Sequence, residues 1–170
     1  MSLQLIFVVE TNDKTKSDDV YISELIKSRY DLSSNEYVYN FVHMNGKTKY
    51  DSSPVKTGIK KLCSLNKFGD NVIIFCFDTD RIDIKAEDTN FMNKVEQYCI
   101  DNSYKYVWFC YDIECVFLGN SIQDAQKKSE SLKYIKNNKK NYNQALLKSN
   151  TKSEHHSNIL CVLDDLLPIK

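Results

Sequence analysis

The chain has 170 residues, 42% of them apolar, which suits one packed core and excludes a largely disordered polypeptide. Lysine plus arginine (23) balance aspartate plus glutamate (23), so a uniformly basic nucleic-acid coat is excluded and only local charge remains to argue from. Four glycines and two prolines disfavour a turn-rich β-sandwich. No apolar run reaches membrane-spanning length, and Met1–Glu10 is too short for a signal peptide and ends in an acid.

Leu3–Val9 (LQLIFVV) has the continuous apolar character of a strand buried on both faces. Glu10 ends it, and a polar loop follows. Ser17 or Asp18 can cap a helix that carries Val20, Ile22, Leu25 and Ile26 and fades near Tyr30. Tyr37–Met44 reads as a second strand and Asn45-Gly46 as a turn. Pro54 suits the first turn of a second helix with Val55, Ile59 and Leu62 on one face and Gly69 just past its end. Val72–Phe77 (VIIFCF) is the most apolar strand and runs straight into Asp78-Thr79-Asp80. A helix over Ala86–Asp101 and a strand over Tyr106–Cys110 complete a β-α-β-α-β-α-β order. That order predicts a parallel sheet of about four strands with helices on both faces and right-handed crossovers.

The last third differs. From Ser121 to Lys152 eight lysines stand against Asp124 and Glu130, with Tyr134 and Tyr142 interleaved; an exposed helical hairpin or a loop fits. Asn158–Leu167 reads as a closing amphipathic helix. The division is thus an α/β core over 1–120 and a helical, lysine-rich extension over 121–170, packed together as one structural domain. Six cysteines (63, 76, 99, 110, 115, 161) form no C-x-x-C pair, and several lie in apolar runs. They read as buried free thiols of a cytoplasmic protein rather than zinc ligands. His43, His155 and His156 read as surface or satisfied histidines.

Acids stand directly after strands. Glu10 follows the first, Asp78 and Asp80 the third, and Asp112 and Glu114 come soon after the fourth. In a parallel sheet these ends share one edge, where ligands gather. Carboxylates brought together raise one another's pKa unless a cation neutralises them, and oxygen-only ligands select Mg²⁺ or Mn²⁺. The D-x-D spacing would let both carboxylates reach one ion if the segment is extended. Each acid taken singly reads equally as a cap or turn former. Asp18-Asp19 and Asp164-Asp165 read as caps or solvated faces.

On LIFVVE with Glu10, the helix after it, and VIIFCFDTD with Asp78 and Asp80, the first two thirds of the chain resemble a Toprim domain. This Rossmann-like fold is shared by topoisomerases, bacterial primases and OLD-type nucleases. YDIECVFLG is similar to a segment of the small RloB-like branch, and by that resemblance Glu114 joins the site. Two positions depart from the Toprim pattern: Thr11 stands where glycine is common, and Arg81, Ile82 and Asp83 follow Asp80 without the usual glycine. The resemblance implies a magnesium-dependent nuclease. Glu10 would be general acid/base, and Asp78 and Asp80 would hold the metal together with Glu10. The partners implied are DNA or RNA and an ATPase protein in phage defence. Lys127, Lys128, Lys133, Lys136, Lys139 and Lys140 could supply a phosphate track, with Tyr134 and Tyr142 stacking on unpaired bases. The alternatives are a catalytically silent module of the same fold that binds nucleic acid or a protein, and, further off, a nucleotide-sugar transferase. A receiver-type phosphoacceptor fits poorly, since it needs paired acids after the first strand.

Overall fold

A computed structural model of the chain describes residues 2–11, 14, 16–33, 36–80, 85–137 and 142–170. Four strands, β1 (Leu3–Val9), β2 (Tyr37–His43), β3 (Asp70–Asp78) and β4 (Lys105–Phe109), form one parallel sheet in the order β2-β1-β3-β4. The helices are α1 (Ser17–Arg29), α2 (Ser53–Leu65), α3 (Ala86–Asp101), α4 (Ile113–Leu118), α5 (Asp124–Lys136), α6 (Gln144–Leu147) and α7 (Ile159–Leu163). Among the described residues no helix is long and apolar enough to cross a membrane.

Strand alternation sorts the core into two layers. Leu5, Phe7, Val9, Ile74, Cys76, Val107 and Phe109 face α1, α4 and α7. Ile6, Val8, Phe75, Phe77 and Trp108 face α2 and α3. Helices thus cover both faces, as the β-α-β order predicts. β1 and β3 are central and buried on both sides, which is why their sequences read as unbroken apolar runs. β2 lies at an edge and is only half-buried.

The chain leaves β1 toward β2 on one side and leaves β3 toward β4 on the other. The crevice between the carboxyl ends of β1 and β3 is therefore the topological switch point, where open α/β sheets bind ligands. Glu10 and Asp78 stand at those two ends.

Several elements differ from the sequence expectation. Gly69 does not cap α2, which ends at Leu65; a Cβ there would lie 2.2 Å from the Ser2 carbonyl oxygen, so the close approach of the chain start demands glycine. YDIECVFLG contains the helix α4, capped by Asp112, whose Oδ1 accepts from the Cys115 N–H at 2.6 Å. The 121–152 stretch forms α5 and the single turn α6. α7 stops at Leu163 rather than Leu167, where Asp164 turns aside to a bidentate pair with Arg29 (2.8 and 2.8 Å) and a hydrogen bond from Tyr30 Oη at 2.7 Å. Asp164 is therefore a buried ion-pair anchor tying α7 to the end of α1, not a solvated acid. All six cysteines are free; Cys76, Cys99, Cys110 and Cys115 are buried, and Cys63 and Cys161 are half-buried.

Candidate active site

The first residue placed by the sheet is Glu10. Its Oε1 accepts a hydrogen bond from the backbone N–H of Asp78 at 2.9 Å, joining the ends of β1 and β3. Asp78 continues the face of Ile74 and Cys76, so it points toward α1 and α4, and its Oδ1 accepts from the Ile113 N–H at 3.0 Å. On that side Glu114, in the first turn of α4, has no solvent exposure. Neither of its carboxylate oxygens has a hydrogen-bond partner among the described residues, although Lys127 Nζ of α5 forms an ion pair with Oε2 at 3.4 Å.

A fourth acid joins that the sequence reading set aside. Asp18 is 8% exposed, and its Oδ2 accepts from the Thr11 N–H at 3.4 Å. It does not cap α1, because Lys16 is the capping residue and makes no side-chain cap. The adjacent Asp19 instead accepts from His43 Nε2 at 2.9 Å, which satisfies that histidine. The available signal for Asp18 was its place in the first turn of the helix that follows β1, the helix leading away from the switch point.

Burial pushes the Glu10 carboxyl from 4.5 up to about 8, offset by the Asp78 N–H and raised further by Asp18. Burial, then Glu10, Asp18 and Glu114, push Asp78 well above its ordinary range. Asp18 is raised by burial. Glu114 is pushed to about 7 by burial, with Lys127 opposing. Four carboxylates from four parts of the chain thus share one field, and each is pushed toward its neutral form.

Asp80 lies on the outer side. β3 ends at Asp78, and Asp80 adopts φ 50°, so strand alternation does not extend to it. The turn instead brings it near Glu10, where Lys47 Nζ binds its Oδ2. Lys47 is delivered by the expected turn: Asn45 and Gly46 take φ 57° and 115°, and the Gly46 N–H bonds to the Glu10 carbonyl at 3.0 Å. The Asp80 side chain is 49% exposed and faces a cleft of about 410 Å³ lined also by Lys85, Asp88, Tyr111, Asp112 and Ser121. Glu10, Asp78 and Glu114 do not line that cleft. Of the two acids after β4, Glu114 belongs to the buried group, while Asp112 caps α4 and lines the cleft.

The expected lysine track divides. Lys127 turns inward to the acids. Lys128, Lys133 and Lys136 are exposed on α5, Lys133 pairing with Glu130 at 2.6 Å. Lys139 and Lys140 lie outside the described residues. Tyr134 is not a base platform: it is buried against Tyr21 and Phe117, at ring separations of 4.9 and 6.1 Å, and anchors α5 to the core. Tyr142 is half-buried and packs on the same layer, 3.4 Å from Ser28 Oγ through its hydroxyl. Tyr21, Tyr37 and Tyr39 are packing residues, as expected.

Compared with known proteins, the chain matches no family model, no characterised protein and no solved structure. The site is therefore read from its own chemistry.

Proposed function

We propose that the acidic group at the β1/β3 switch point is the active centre of a Mg²⁺- or Mn²⁺-dependent phosphodiester hydrolase acting on nucleic acid. One observation carries this reading. Glu10, Asp18, Asp78 and Glu114 converge from four separate elements, and Glu114 is wholly buried with both oxygens lacking hydrogen bonds. Gathering four like charges away from water costs free energy that the ion pair from Lys127 to Glu114 offsets only in part, so a site serving only stability has no reason to retain them.

The donor set fits a hard dication, since every candidate ligand is a carboxylate oxygen, and the neighbouring Glu114 oxygens have the Lys127 ion pair but no hydrogen bond among the described residues. Glu10 and Asp78 would hold the ion, with Glu114 and Asp18 completing the negative field; Asp80, the third ligand the resemblance implies, would have to leave Lys47 and turn in from the cleft to join them. When bound, it supplies charge stabilisation at the attacking or leaving oxygen of an in-line displacement. Glu10 is the group assigned general acid/base work, the role that the Toprim resemblance gives it. Lys47 and Lys127 flank the group and oppose its repulsion of a phosphate. The cleft beside Asp80 receives the polynucleotide, and Lys128, Lys133 and Lys136 contact its backbone. An ATPase partner and a phage-defence setting rest on the Toprim resemblance alone.

The test incubates the full chain with labelled single- and double-stranded DNA and RNA in Mg²⁺, Mn²⁺ or EDTA, beside Glu10→Gln and Asp78→Asn. Both substitutions keep the oxygen that accepts the observed backbone hydrogen bond. Metal-dependent cleavage lost in both variants supports the hydrolase. Nucleic-acid binding without cleavage, unchanged in both, would show a silent binding module instead.

A further inference from the structure

A second group of ligating side chains lies behind α4, apart from the acids. Cys115 on α4 is 2% exposed. His155 Nδ1 lies 3.4 Å from its Sγ and 3.0 Å from its carbonyl oxygen, and Glu154 Oε1 lies 3.9 Å from His155 Nε2. One ligand atom from each of the three side chains falls within 4.8 Å of the other two. Zinc bonds of about 2.0–2.3 Å at tetrahedral angles place neighbouring ligand atoms about 3.3–3.6 Å apart. The sulfur–nitrogen pair already meets that spacing through Nδ1; to turn its lone pair to an ion that nitrogen gives up its hydrogen bond to the Cys115 carbonyl, and the exposed Glu154 side chain swings over from the Nε2 side.

The backbone that carries the histidine is fixed independently. The Cys110 N–H donates to the His156 carbonyl at 2.9 Å, Ser157 Oγ donates to the Trp108 carbonyl at 2.7 Å, and the Trp108 N–H donates to Asn158 Oδ1 at 2.9 Å. Segment 153–158 is thus laced along the outer edge of β4. The Asp112 cap fixes the start of α4. The backbones that carry Cys115 and His155 are thus held beforehand, and only the His155 ring and the Glu154 side chain reorient, which limits the ordering cost of capturing an ion.

We infer that Cys115, Glu154 and His155 form a zinc site that clamps segment 153–158 to α4. Thiolate and imidazole donors select zinc, whereas the all-oxygen group at the switch point selects a harder cation, so the two sites take different metals. Three protein ligands leave the fourth tetrahedral position to water. Binding requires the Cys115 thiol to release its proton to solvent as the sulfur–zinc bond forms. Because Glu114 precedes Cys115, the clamp also fixes the element that carries the buried acid. This inference stands independently of the hydrolase reading.

The experiment is metal titration of the reduced, metal-stripped full chain, with zinc measured by mass spectrometry and Co²⁺ as the spectroscopic probe. One zinc per chain is expected, together with a thiolate-to-cobalt charge-transfer band and tetrahedral d–d bands. Cys115→Ser and His155→Gln should each weaken zinc binding by about a hundredfold or more, and Glu154→Gln by about tenfold. His155 lies on a surface segment, so its variant tests the site even if Cys115→Ser fails to fold. Glu10→Gln and Asp78→Asn should bind zinc as the parent does. Cobalt spectra without a thiolate band, unchanged affinity in both the Cys115 and His155 variants, or loss of zinc in the Glu10 variant would each overturn the assignment.

Discussion

The Glu10→Gln substitution tests the electrostatics of the acidic group directly, because glutamine has the shape of the neutral acid and keeps the oxygen that accepts from Asp78 N–H. In the folded chain Glu10 holds its proton up to about pH 8, whereas an unfolded chain releases it near 4.5. Between those values the folded state binds more protons than the unfolded state, so stability is fully present below pH 4.5 and falls as pH rises toward 8. A displacement of that size corresponds to about 5 kcal/mol as a ceiling. Glu10 is half-buried rather than sealed, so solvent screens part of it and about 2–3 kcal/mol is expected. Urea unfolding at pH 5, 6, 7 and 8 should show the parent losing that amount and Glu10→Gln losing clearly less. Asp18 and Asp78 remain to contribute a residual slope. Adding Mg²⁺ at pH 8 should restore the parent by about 2.7 kcal/mol at a hundredfold excess over Kd, and the variant by less. Parent stability flat from pH 5 to 8, or equal magnesium responses in the two proteins, would refute the reasoning.

Three further outcomes follow from the same contacts. Glu114→Gln should abolish metal-dependent cleavage while leaving stability at pH 8 unchanged or higher, since it removes a buried charge; a loss of stability with activity intact would count against a functional role. Lys127→Ala should cost about 1–3 kcal/mol in urea unfolding at pH 8, because Glu114 loses the cation that opposes its burial; protonation of Glu114 should shrink that penalty at pH 5. Asp164→Ala should cost about 2–3 kcal/mol by removing the acceptor shared by Arg29, Tyr30 and Lys148. These donors hold the Asp164 carboxyl well below the usual carboxylate range, so its contribution is present above pH 4 and lost as pH falls. Acid unfolding that is identical in parent and variant would exclude it.

The amino-acid order alone determined the parallel α/β architecture, since β1 and β3 are apolar on both faces and the helices between them carry one-sided stripes. It also determined that Glu10 and Asp78 share one edge, because parallel strands end on the same side. The sequence was silent wherever burial depended on a partner far along the chain. Asp18 looks like any helix-start acid until β3 and α4 close over it. Tyr134 looks like a surface ring until it meets Tyr21, and Lys127 like its basic neighbours until it reaches Glu114. Cys115 and His155 have no ligand spacing along the chain, and the edge of β4 sets their distance. Periodicity records which face of an element is covered. Which charges meet beneath that cover is decided only when separate elements are packed, because a carboxylate's cost and chemistry depend on the water and ions left around it.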